Sequence, residues 1–118
     1  MRKKCKKFAY QLPLASANTS HNKVMTLEKE IEKLLVKEVK KLGGFCWKFV
    51  SPGIVGVPDR LALLAKNKVA FIEVKKEGET LRPIQRKRKR QLEDLGFKVY
   101  VLDSKEQVKE IIDELQSL

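Results

Sequence analysis

Three observations predict an α/β domain with the element order αβββαβα. Apolar residues recur at helical spacing over residues 27–42 and 108–115, and less regularly over 84–95. Between and beside these stretches lie four apolar runs of strand length, 45–50, 61–65, 69–75 and 98–102. Breakers fall where the runs end: Gly43-Gly44, Ser51-Pro52-Gly53, Lys66-Asn67-Lys68 and Gly96.

Residues 1–24 stand apart, with six basic and no acidic side chains. Arg2 to Lys7 followed by Phe8 to Ala15 has the outline of a secretory leader, but Gln11 and Pro13 break its short apolar part. We read the segment as a basic arm, polar and linker-like over Ser16 to Asn22, with the folded domain over 25–118 and Met25 just before its first helix. That helix is predicted to start at Thr26 as N-cap, with Glu28 and Glu30 where the helix dipole favours acids. Leu27, Ile31, Leu34, Leu35, Val39 and Leu42 form its buried stripe, and Gly43-Gly44 ends it.

The next strand, Phe45 to Val50, alternates Phe45, Trp47 and Phe49 on one face with Cys46 and Lys48 on the other. The aromatic face is expected in the core, with stacking of Trp47 on a base as the alternative; Lys48 either reaches a phosphate or is simply exposed. A glycine-containing loop, Ser51 to Gly56, leads to Val57-Pro58-Asp59-Arg60. Leu61 to Ala65 and Val69 to Lys75 then read as a tight hairpin, opened by Asp59, which an antiparallel register places opposite residues 74–76. Pro83 suits the first position of a helix that Gly96 stops, Lys98 to Leu102 forms the last strand, and Ser104 caps a helix with Val108, Ile111, Ile112 and Leu115 inward.

The chemistry concentrates on the hairpin. Alternation puts Glu73 and Lys75 on one face, within diagonal reach of Asp59. Carboxylates and a lysine at the rim of an apolar run are unfavourable there without a partner. Two hard oxygen ligands with no His or Cys nearby suit Mg²⁺ or Mn²⁺, which bind through one or two carboxylates, waters and substrate phosphate. Asp59 and Glu73 fit as metal ligands, and the Lys75 ammonium as the group that orients a water or balances charge. This pattern describes metal-dependent phosphodiester hydrolysis.

Charge agrees with a polyanionic partner. The 118-residue chain carries a net charge of +11, of which residues 25–118, with 20 basic and 15 acidic side chains, hold +5. The excess is local: Arg82, Arg86, Lys87, Arg88, Lys89 and Arg90 fall in one nine-residue stretch. A helix spreads them through every direction, so some track a DNA backbone while the rest form a solvated surface, or the run serves as a localisation signal. Cys5 and Cys46 are too few for a disulfide framework and point to a reducing, cytoplasmic setting; the single His21 excludes a histidine-based triad or zinc site. No apolar run reaches membrane-spanning length, and residues 103–118, with five acids and two bases, turn away from nucleic acid.

Gly56-Val57-Pro58-Asp59, then Glu73-Val74-Lys75, then a basic helix opening with Pro83-Ile84-Gln85 resembles the virus-type replication-repair nuclease (VRR-NUC) domain of the PD-(D/E)xK nuclease superfamily, over about Thr26 to Tyr100. The resemblance implies a restriction-endonuclease-like fold with a mixed sheet flanked by helices. It also implies that Glu28, which composition alone reads as a helix-start acid, completes the metal site directly or through water. The Val74 backbone carbonyl becomes a further ligand, and Gln85 lies beside the catalytic cluster.

Stand-alone members of this family, often phage-encoded, act on branched DNA, particularly four-way junctions, as homodimers. The expectation is therefore an endonuclease for branched duplex DNA with no organic cofactor. Two other classes are a non-catalytic nucleic-acid-binding module on the same fold, disfavoured because Asp59, Glu73 and Lys75 are all present, and a nuclease acting on RNA or on a recognised DNA sequence. No recognisable base-reading element or attached recognition domain supports sequence-specific restriction.

Overall fold

The computed structural model describes residues 20–118. Helix α1 (Ser20–Lys41) is followed by strands β1 (Phe45–Lys48), β2 (Arg60–Leu64) and β3 (Lys68–Val74), helix α2 (Pro83–Asp94), strand β4 (Lys98–Leu102) and helix α3 (Lys105–Ser117), giving the expected order αβββαβα. The four strands form one mixed sheet in the order β1-β2-β3-β4. The first two pairings are antiparallel and β3 runs parallel to β4, because α2 carries the chain back across the sheet.

One sheet face holds the main core. Ala70, Ile72 and Val74 of β3 pack with Ala62, Leu64, Cys46 and Leu102 beneath Ile31, Leu35 and Val39 of α1 and Val108, Ile111, Ile112 and Leu115 of α3. Each such large aliphatic side chain contributes about 1.5–3 kcal/mol on burial, so these two helices fix the sheet. The other face carries a chain of rings, Phe49 to Phe71 at 5.4 Å and Phe71 to Phe97 at 5.6 Å, on the side where α2 lies. Alternation along β3 thus sends Ile72 and Val74 to the α1 and α3 side, and Phe71 and Glu73 to the α2 side.

Several local expectations are corrected. Helix α1 already covers Ser20, so Thr26 is interior rather than a cap, the polar stretch expected to be a linker is helical over residues 20–22, and the helix runs through the expected boundary at residue 24. No Gly or Pro lies between Ser20 and Thr26 to stop it. Glu28 and Glu30 consequently sit more than two turns inside the helix, where the dipole has no claim on them. The rest of the basic arm, Cys5 included, lies outside the described residues.

The aromatic face of β1 is not core. Phe45 and Trp47 are 57% and 54% exposed and stack on each other at 5.3 Å, while Cys46 between them is buried. Strand β1 is a sheet edge, and α2 packs towards β4 at the opposite edge, so only the Cys46 face has a helix above it. For the same reason the less regular apolar positions of α2 are only partly covered: Ile84 and Leu92 are half-buried, Gln85 alone is buried, and Leu95 is 75% exposed. Leu42, placed in the α1 stripe, is exposed beyond the helix end.

The hairpin turn is Ala65-Lys66-Asn67, one residue earlier than read, with Lys66 and Asn67 both at φ 61°. Asp59 lies just before β2, and the pairing of Arg60 with Ile72, continued by one residue, sets it across from Glu73 rather than from residues 74–76.

Candidate active site

At the end of the sheet where β3 finishes, the sequence brings an acid to the rim from each of two neighbouring strands. Glu73, on the α2 side of β3, is only 4% exposed. Its Oε2 accepts a hydrogen bond from Gln85 Nε2 at 2.9 Å, and Gln85 Oε1 accepts one from the Arg82 backbone N–H at 2.9 Å. Gln85 is placed by the entry into α2: Arg82 is extended, Pro83 fixes the first turn, and the one buried position of the helix faces the sheet. Asp59 is pinned from two sides. Its carbonyl accepts from Phe49 N–H at 2.9 Å, and its Oδ2 accepts from Val74 N–H at 2.9 Å. Lys75 follows directly, its N–H donating to Leu102 O at 2.9 Å.

The electrostatics reflect this crowding. Burial, then the neighbouring Asp59 carboxylate, pushes the Glu73 carboxyl up to about 7, against the pull of Lys75 and Arg82. Glu28, reaching the same region from α1, is also raised, by burial first, then by Glu79 and Asp59, with Lys75 opposing. Glu28, Asp59, Glu73, Lys75 and Gln85 therefore meet at one end of the sheet. The Val74 carbonyl belongs to the residue between Glu73 and Lys75, at the end of β3.

Among the described residues no three Asp, Glu, His or Cys side chains are grouped so as to hold an ion by themselves. A hard divalent ion does not need three, since Mg²⁺ keeps several waters and takes one or two carboxylates together with substrate phosphate. Asp59 and Glu73 are the two carboxylates here that could serve such an ion, and the Asp59 charge beside Glu73 is one that a cation would offset.

The basic residues divide by what they touch. Arg82 and Arg86 are exposed at the start of α2; Arg82 bears on the Glu73 charge and Arg86 Nη1 donates to Leu81 O at 2.7 Å. Arg88 reaches back to the loop before β2, donating to Val55 O at 2.8 Å and to Gln91 Oε1 at 3.0 Å, and Lys89 pairs with Glu93 at 2.7 Å. Lys87 and Arg90 are exposed, as is Lys48, which pairs in register with Arg60.

Sequence reasoning passed over two residues near this end. Glu79, in the β3–α2 loop, lies on no periodic pattern that could have marked it. Arg60 adjoins Asp59 in the chain, but its partners are far along it: Nε donates to Glu32 Oε2 at 2.7 Å and Nη1 to Cys46 O at 3.1 Å.

A family model described as the VRR-NUC domain matches residues 3–106. The chain belongs to the VRR-NUC family. As a VRR-NUC protein it is a nuclease, an enzyme acting on nucleic acid. It is 51% identical over 79 residues to protein p44 of Acyrthosiphon pisum secondary endosymbiont phage 1, described as a candidate nuclease, a match covering 67% of this chain and 85% of that protein. A solved structure of a VRR-NUC domain superposes with a TM-score of 0.70 at 30% identity, covering 73% of this chain and 94% of the other. No described helix of this VRR-NUC protein is long and apolar enough to cross a membrane.

Proposed function

We propose that this chain is a Mg²⁺- or Mn²⁺-dependent endonuclease that hydrolyses DNA phosphodiester bonds, selects branched duplexes such as four-way (Holliday) junctions, and works as a homodimer in DNA repair in the cytoplasm of a prokaryotic or phage-infected cell. The observation that carries the reading is Glu73, buried, hydrogen-bonded to Gln85 and adjacent to Asp59 and Lys75. A buried carboxylate held beside a second carboxylate is costly unless a cation joins them.

Asp59, Glu73 and the Val74 carbonyl would hold the ion, with Glu28 contributing directly or through water. When bound, such an ion supplies Lewis-acid polarisation of the scissile phosphate and a water of lowered pKa. The residues of the chain set the geometry. Gln85 fixes one Glu73 oxygen and Val74 N–H fixes one Asp59 oxygen, so neither carboxylate has to be ordered when substrate arrives. The Lys75 ammonium orients the attacking water or offsets charge building on the phosphate. Exposed Lys48, Arg82, Arg86, Lys87 and Arg90 supply salt-sensitive phosphate contacts, while Arg88 and Lys89 contribute positive charge from positions already bonded within the protein. Two-fold pairing of a domain this small would let two such sites cut a symmetric junction together.

The test incubates the protein with a four-way junction, linear duplex, flap, single strand and an RNA duplex in Mg²⁺, Mn²⁺ or EDTA, alongside Lys75→Ala and Asp59→Asn. The expected result is junction cleavage in either metal, none in EDTA, and loss of cleavage in both variants. Cleavage in EDTA, or by either variant, overturns the site assignment. Equal cleavage of all duplexes overturns the preference for branched DNA.

A further inference from the structure

The basic run of α2 is not the longest cationic surface of the molecule. Lys29, Lys33, Lys37 and Lys40 recur every three or four residues along α1 and therefore share one side of the helix. Together with Glu32 and Arg60 they line an open groove of about 620 Å³. The single acid among them is already engaged, since Glu32 accepts from Arg60 Nε at 2.7 Å, so the groove is strongly positive. Arg60 is held as well by Cys46 O at 3.1 Å, which fixes a guanidinium against the groove wall.

Two residues that line the groove directly follow candidate site residues in the chain. Lys29 follows Glu28 on α1, and Arg60 follows Asp59 at the start of β2. From there α1 runs towards Gly44 and the start of β1, at the opposite end of the sheet. Lys29 to Lys40 cover roughly 16 Å at 1.5 Å per residue. That length matches roughly five phosphates of one strand at 3.4 Å each.

We propose that this α1 groove is a phosphate track, which grips the backbone of one strand of the nucleic-acid substrate as it leaves the candidate active site. The proposal rests on the reading of that site as a nuclease centre. It adds a second grip, from the opposite side of the sheet to α2, so that the substrate is held on both sides of the scissile phosphate. A backbone grip of this kind is indifferent to base sequence and sensitive to salt.

The test measures binding of the full chain to a labelled four-way junction and a linear duplex in EDTA, so that no cleavage is required, over a range of salt concentrations. Two charge-matched triple variants are compared: Lys29→Ala, Lys33→Ala and Lys40→Ala in the groove, and Lys66→Ala, Lys98→Ala and Lys109→Ala on the hairpin tip, the far end of β4 and α3. The groove variant is expected to bind at least about tenfold more weakly near 0.1 M salt and to lose about 2–3 from the slope of log affinity against log salt. The control should stay close to wild type. Equal losses in the two variants assign the effect to net charge and overturn the track, as does an unchanged slope in the groove variant. A groove variant that loses affinity beside a wild-type chain that never cleaves would support the track while removing the nuclease reading, so the two failures are distinguishable.

Discussion

Gln85 Nε2 donates to Glu73 Oε2 at 2.9 Å, and this bond couples the first turn of α2 to the most deeply buried acid of the sheet. The same amide accepts from Arg82 N–H at 2.9 Å, so one side chain both closes the start of a helix and orients a carboxylate. Position and chemistry are thereby linked: whatever shifts the entry into α2 also shifts Glu73.

Replacement of Gln85 by Ala leaves Glu73 Oε2 and the Arg82 N–H without their partner, and a buried polar group left unsatisfied costs about 1–3 kcal/mol. Urea denaturation of Gln85→Ala should show a loss in that range, together with reduced cleavage. Stability within about 0.5 kcal/mol of wild type would mean that the bond contributes nothing to the fold.

The Arg60–Glu32 pair invites a similar experiment on the other face. Both side chains are largely shielded, at 16% and 26% exposure, and Arg60 also donates to Cys46 O, tying α1, β1 and β2 together. Arg60→Ala should cost about 1.5–3 kcal/mol, the range for a hydrogen bond to a charged group. Arg60→Lys should recover only part of it, because an ammonium cannot reproduce the two directed bonds of the guanidinium fork. Full recovery by Lys, read from thermal or urea unfolding, would show that charge alone suffices.

How much of this was legible in the sequence depends on whether a residue's role is local. The element order followed from period and punctuation, and Asp59, Glu73 and Lys75 could be placed near one another because a hairpin converts sequence spacing into proximity. The surroundings of β1 were not legible. Alternation says that Phe45 and Trp47 share a face, but which face is covered depends on where α2 packs, a relation of distant segments. The start of α1 misled for the opposite reason: Thr26 is competent as a cap, yet a competent cap inside helix-compatible sequence does not stop a helix. Arg60 with Glu32, 28 residues apart, left no pattern to read.

Gly56 offers a prediction about the loop that carries the Pro-Asp segment. Its φ is +86°, and a Cβ there would stand 2.7 Å from Ile84 Cγ1 and 3.1 Å from Ile84 O, at the first turn of α2. Gly56→Ala should cost about 1–2 kcal/mol for the left-handed backbone alone. The crowding on Ile84 should also move Gln85 and lower cleavage. Gly53→Ala, in the same loop with open space around it, is the control and should change stability by less than about 0.5 kcal/mol. Equal effects of the two substitutions would show that Ile84 does not register the contact.

Tyr100 gives a prediction in pH. Its ring packs against the main core, and its hydroxyl is buried near the Glu114 carboxylate but outside hydrogen-bonding geometry to any described residue. Burial, and after it the Glu114 carboxylate, pushes the phenol up to about 12, whereas an unfolded tyrosine ionises near about 10. The folded-state value is the higher one, so the unfolded chain gives up this proton first. The contribution of the neutral phenol to stability is therefore complete below about pH 10 and is lost as pH rises towards about 12. Tyr100→Phe removes both the stranded hydroxyl and its titration, while every lysine titration stays common to the two proteins. Urea midpoints at about pH 8 should show the variant at least as stable as wild type, because removing an unsatisfied hydroxyl removes its desolvation cost. At about pH 11 the difference should widen in the variant's favour. A gap that stays constant between the two pH values would mean that Tyr100 ionises in the folded protein as readily as in the unfolded chain, and a variant less stable by more than about 1 kcal/mol at pH 8 would mean that the hydroxyl has a partner.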